Sequence, residues 1–161
     1  MMTAMEIRAS LSFPADPETV YALLTDPGFL GEVATEAGTR DVRVAVAGSS
    51  TTSRRTLDTP GQAEKIIGPD ITIVEERHWG SARADGGRTA VLALTCPGQP
   101  VTMTGTVDLR PSRAGTEVTV HGDLVIKIPL VGKKLEKLAA PAIHEGIRAE
   151  EQVGLRRLTR T

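Results

Sequence analysis

Aromatic residues are nearly missing from this chain. Phe13, Tyr21, Phe29 and Trp79 are the whole set in 161 residues. So sparse a supply excludes the stacking platform on which single-stranded nucleic acids are held. Surplus positive charge is missing too: 19 Lys and Arg stand against 20 Asp and Glu, without the basic excess of a nucleic-acid binder. Cys96 is the only cysteine, so no internal disulfide can form and nothing points to an oxidising compartment. No apolar run approaches the roughly 18 residues that span a bilayer. Glu6 and Arg8 interrupt "MMTAMEIRASLSF", which therefore lacks the unbroken apolar centre of a secretory signal. Together these absences predict a soluble cytoplasmic protein, with residues 1–161 forming one domain and no nucleic-acid partner.

Several catalytic and metal signatures fail on spacing. His78, His121 and His144 have no compact ligand spacing, and "HEGIRAE" lacks the second histidine of a zinc-protease helix, so neither metal nor cofactor is expected. Gly132-Lys133-Lys134 invites comparison with a phosphate-binding loop. That motif needs a glycine where Lys127 stands and a Ser or Thr where Lys134 stands, so the comparison fails. Cys96 stands directly before Pro97-Gly98 with no basic sequence neighbour to lower its pKa, and is expected to be a buried apolar thiol.

The periodicities that are present outline a fold. "MEIRASLSF" alternates apolar and polar residues as a half-buried strand does. Asp16-Pro17 and Asp26-Pro27 then supply an N-cap and a first-turn proline for two short helices. From Thr39 the period returns to 2. "TRDVRVAVAG", the weakly patterned "STTSRRTLDT", "ITIVEERHWG", "GRTAVLALTC", "VTMTGTVDLRP" and "GTEVTVHGDLVI" read as six further strands, with a short helix in "PGQAEKIIGPD". Hairpin connections such as "PSRAG" make sequential neighbours antiparallel. From Pro129 the chain becomes helical. Its expected inward stripe is Val131, Leu135, Leu138, Ala142, Gly146, Ala149 and Val153, large residues first and small ones last. The pattern predicts an α+β fold: a curved antiparallel sheet of about seven strands wrapped around a long C-terminal helix, with two short helices after the first strand.

"FPADPETVYALLTDPGFL", "PGQAEKIIGPDITIVEERHW" and "IPLVGKKLEK" in this order resemble the START-related superfamily (SRPBCC), which includes polyketide cyclases, birch-pollen-allergen-like proteins and lipid-transfer START domains. Within it the chain resembles a mainly actinobacterial family of unknown function. The resemblance covers nearly the whole chain and implies a helix-grip fold. It also implies a hydrophobic tunnel between sheet and helix for lipids, polyketides or similar ligands. It implies no single chemistry, because the fold hosts many functions.

A binding or carrier role for a small hydrophobic molecule is therefore expected, with Tyr21, Leu24, Val44, Trp79, Met103, Val107, Leu135, Leu138 and Ala142 lining the cavity. The competing readings are a cyclase- or hydrolase-type enzyme using Glu75, Arg77, Tyr21 or His78, and a ligand-free protein-interaction module. In "EERHW" alternation leaves two phases open: Glu75 and Arg77 face inward, with Arg77 anchoring the ligand, or Glu76 and His78 do. At the head of the last helix, Leu130 or Val131 is expected to plug the interior and Glu136 to form exposed pairs. Lys133, Lys134 and Lys137 offer a weak membrane-surface contact, offset by the balance of Arg148, Arg156, Arg157 and Arg160 against Glu145, Glu150 and Glu151.

Overall fold

A computed structural model describes residues 4–159; Arg160 lies outside them. The order is β1 (Met5–Phe13), α1 (Pro17–Leu24), α2 (Pro27–Glu36), β2 (Arg40–Ala47), β3 (Ser50–Asp58), a 3-10 turn (Gly61–Ala63) running into α3 (Glu64–Ile67), β4 (Asp70–Trp79), β5 (Arg88–Thr95), β6 (Val101–Ser112), β7 (Gly115–Ile126) and α4 (Gly132–Thr159). The seven strands form one antiparallel sheet in the order β1-β7-β6-β5-β4-β3-β2. This is the expected α+β helix-grip arrangement. Among the described residues no helix is long and apolar enough to cross a membrane.

The short helices begin as their sequences require. Asp16 accepts a hydrogen bond from Thr19 N (2.9 Å) and Asp26 from Phe29 N (2.8 Å), each followed by proline. α2 lies against β2, so the edge at that side of the sheet is partly covered. At the opposite edge β1 carries α4, and Ser12 N donates to Glu151 Oε2 (2.9 Å).

The interior is not filled evenly. Phe13, Phe29, Leu24, Val20, Val107 and Leu109 are fully buried where α1, α2 and the tail of α4 meet the sheet. α4 is tied down at both ends. At its tail Ala149, Val153 and Gly154 are buried against the sheet, and Arg157 pairs with Glu32 (3.0 Å) and Asp26 (3.2 Å) of α2. At its head Leu135 and Gly132 are buried, and Glu136 accepts from Ile126 N (3.1 Å). Glu136 is 1% exposed, which corrects the expectation of an exposed pair; its carboxylate caps the end of β7 instead. Of the two candidates for the apolar plug, Val131 is half-buried against the core and Leu130 is fully exposed. Between these anchors Leu138, Ala139, Ala142, Ile143 and Gly146 are only half-buried, and Pro141 removes one backbone hydrogen bond from this middle stretch.

Candidate functional site

The middle of α4 is a roof over a cavity of about 240 Å³. The walls come from the inner faces of β3 to β7 and from α2. For scale, an engineered apolar cavity of about 150 Å³ suffices to take up benzene. Met103, Leu124 and Leu92 form the aliphatic floor, and Leu135, Leu138 and Ala142 the roof. β3 supplies a different wall. Its inward residues Thr51, Ser53, Arg55 and, just beyond the strand, Thr59 place hydrogen-bonding groups in the wall, with Leu57 among them. The Thr59 hydroxyl is buried there without a hydrogen-bond partner among the described residues.

Four charged side chains form a chain across one part of this space. Arg55 Nη2 donates to Glu75 Oε1 (3.0 Å), and Arg77 Nε donates to Glu75 Oε2 (2.9 Å). Arg77 Nη2 then reaches Glu150 Oε1 on α4 (2.9 Å), with Nη1 to Oε2 at 3.4 Å. The side chains of Arg77 and Glu150 are each 7% exposed, and all four residues line the cavity. Two positive and two negative charges cancel, which is what makes such deep burial tolerable. Burial alone would push the Glu75 carboxyl up, but the Arg77 and Arg55 guanidiniums overcome it and hold the pKa at about 2. Burial likewise works against the Arg77 cation, and Glu150 and Glu75 more than offset this, raising its pKa further. Burial pushes the Cys96 thiol up to about 11, partly opposed by Arg55.

The alternation left open by the sequence is thus resolved. Glu75 and Arg77 face the cavity, while His78 is exposed on the other face, 2.8 Å from Ser50 Oγ. Of the expected lining residues, Arg77, Met103, Leu135, Leu138 and Ala142 border the cavity. Tyr21, Leu24, Val44, Trp79 and Val107 do not. Leu24, Trp79 and Val107 do face inward and are buried, but α1 and α2 fill that end of the molecule solidly. Tyr21 packs edge-on against Trp79 (ring centroids 5.6 Å apart) under the Arg88 guanidinium at 3.8 Å. Val44 lies half-buried on β2 against the core.

The β3 wall and Glu150 were not expected. Glu150 is four residues after Gly146, so an acid on the small-residue face of α4 was the available signal. No group of three or more His, Cys, Asp or Glu residues that could hold a metal is present among the described residues.

Comparison with known proteins follows the same lines. The model of a family described as "Protein of unknown function (DUF2505)" matches residues 8–158. Uncharacterized proteins of Mycobacterium tuberculosis and Mycobacterium bovis are 27% identical over 100 residues, 61% of this chain and 57% of theirs. The match thus spans less than two thirds of those relatives. Among solved structures, TTHA0849 from Thermus thermophilus superposes with a TM-score of 0.66 at 24% identity, covering 95% of this chain and 99% of that one. A STAR-related lipid transfer protein from Xanthomonas axonopodis gives 0.61 at 17%, covering 94% and 85%. The di-domain ARO/CYC StfQ from the steffimycin biosynthetic pathway gives 0.63 at 14%, covering 96% of this chain and 52% of that one. At these identities the likeness is one of fold, and it bears out the helix-grip fold that the resemblance implied.

Proposed function

We propose that this chain, which belongs to the DUF2505 family of proteins of unknown function, binds and carries a small hydrophobic molecule under the middle of α4. The observation that carries this reading is the cavity itself. A helix anchored at both ends and standing off the sheet between them leaves apolar surface that a packed core would have filled. Ligand sites are mostly apolar with a few placed polar groups, and the aliphatic floor facing the β3 wall has that composition. The Ser53 hydroxyl and the N–H groups that Arg55 does not spend on Ser53 and Glu75 give an oxygen-bearing ligand two places to bond.

Carriage is favoured over acid–base catalysis. A proton-transferring group works best with a pKa near the operating pH, and Glu75 is held at about 2 while Cys96 is pushed up to about 11. His78 points away from the cavity and Tyr21 lies outside its wall. A ligand-free interaction module is disfavoured by the open interior. That one neighbour in fold is a lipid transfer protein and another an ARO/CYC protein of steffimycin biosynthesis supports lipophilic cargo.

Native mass spectrometry of freshly purified protein tests the reading, together with titration of the neutral apolar fluorophore N-phenyl-1-naphthylamine. A small adduct extractable into chloroform, or saturable one-to-one uptake of the fluorophore, is expected. Protein that carries nothing and takes up no fluorophore would contradict it.

A further inference from the structure

Lysine is distributed unlike the other cation of this chain. All five lysines, Lys65, Lys127, Lys133, Lys134 and Lys137, fall in two segments, whereas 14 arginines run from Arg8 to Arg160. The fold brings the two segments to one end of the molecule. Lys134 Nζ approaches Gln62 Oε1 (3.5 Å), and Lys65, Ile66, Val131 and Lys134 border one shallow groove. Gln99 Nε2 donates to the Ile67 carbonyl (3.4 Å) and Lys127 N to the Pro100 carbonyl (2.9 Å), so the β5–β6 turn joins the same end. All five lysines are exposed. Three acids nearby are committed: Glu136 is buried and paired with Lys133, and Arg40 bridges Asp58 and Asp70; Glu64, beside Lys65, is exposed.

Two apolar side chains stand among these lysines. Leu130 is 104% exposed and has φ 71°, a backbone region that a residue with a side chain adopts only at a cost. Ile66 on α3 is 49% exposed. A leucine held in an unfavourable backbone conformation with its side chain in water gains nothing inside the monomer.

We infer that this end docks on an anionic lipid bilayer, with Leu130 and Ile66 entering the headgroup boundary and the lysines meeting lipid phosphates. Isolated apolar projections ringed by flexible cations suit a membrane interface. A protein partner would instead meet a packed apolar centre depleted of charge. Leu135 and Leu138 border both this groove and the cavity, so the docking face is separated from the ligand space by single side chains. The contact itself requires no particular cavity occupant, and its failure would leave the carrier reading standing.

Co-sedimentation of the full chain with phosphatidylcholine vesicles, with and without about one third phosphatidylglycerol, tests this. The expected result is roughly 10-fold or greater preference for the anionic vesicles, weakened by salt. Leu130→Gly suits the positive φ, so its Tm should match or exceed the parent's while vesicle binding falls roughly 10-fold. Lys65→Glu with Lys134→Glu should lower binding by at least a similar factor, again with Tm unchanged. Absence of binding, equal binding to both vesicle types, or parental binding by Leu130→Gly would each overturn the inference. The last result would mark a charge-only contact, of the kind polyglutamate would share.

Discussion

Gly146 and Gly154 lie about two turns apart in α4 and meet opposite surroundings. A Cβ added at Gly154 would land in the Phe13 ring, whereas one added at Gly146 meets nothing within 4 Å. The same residue type therefore serves two purposes in one helix. At the tail it permits backbone and ring to close into solid core. Over the cavity it leaves space. The contrast extends to the neighbours: Ala149 and Val153 are buried, while Ala142, Ile143 and Ile147 are only half-buried beside open volume. Small residues on a helix thus reveal nothing about packing until the opposite wall is known.

The largest expected effect comes from the joint between the two regions. Arg77→Met would leave Glu150 buried without its partner at the place where tail gives way to roof. Breaking a buried pair in this way costs about 3–5 kcal/mol, measurable by urea denaturation. A loss below about 1 kcal/mol would mean that the charged chain does not hold the helix.

Next comes pH. Glu75 has its pKa lowered from 4.5 to about 2 in the folded protein, so the unfolded chain binds more protons between those values. Its stabilisation is fully present above about pH 4.5 and is lost as pH falls toward 2. The loss amounts to on the order of 3 kcal/mol. Thermal melts across this window should fall more steeply for the parent than for Glu75→Gln, which starts less stable and lacks that proton uptake.

The two glycines supply the smaller effects, of opposite sign. Gly154→Ala forces Phe13 aside and should cost about 1–3 kcal/mol. Gly146→Ala adds a methyl to empty space and a better helix former, so it should stabilise by about 1 kcal/mol. Calorimetric Tm values for the pair check both signs at once. Destabilisation by both would show that the roof is packed like the tail.

Much of the architecture was legible before any coordinates. Asp16-Pro17 and Asp26-Pro27 fixed the starts of α1 and α2, and period-2 alternation marked the strands that pack on aliphatic neighbours. β3 gave the weakest alternation for a physical reason. Its inward residues include Thr51, Ser53 and Arg55, and hydrophobic periodicity fades where a strand lines a polar wall. That weakness was itself a mark of the site. Leu24, Trp79 and Val107 show the complementary limit: alternation tells which way a side chain points, but not whether the space ahead is filled by α1 and α2. Glu136 was misplaced, and Leu130 could not be told from Val131, because the acid and the leucine both depart from their ordinary preferences. The acid is buried on a backbone N–H, and the leucine is exposed at positive φ.

The central claim is that the space under the middle of α4 is a ligand site and not a packing defect. Titration of N-phenyl-1-naphthylamine into the parent and into Gly146→Phe tests it most directly, because Gly146 borders the cavity and a Cβ added there meets nothing within 4 Å, so the ring is directed at open space. The account predicts saturable uptake by the parent and at least roughly 10-fold weaker uptake by a variant whose Tm is unchanged or higher. Equal uptake by both proteins, with the variant folded, would contradict it.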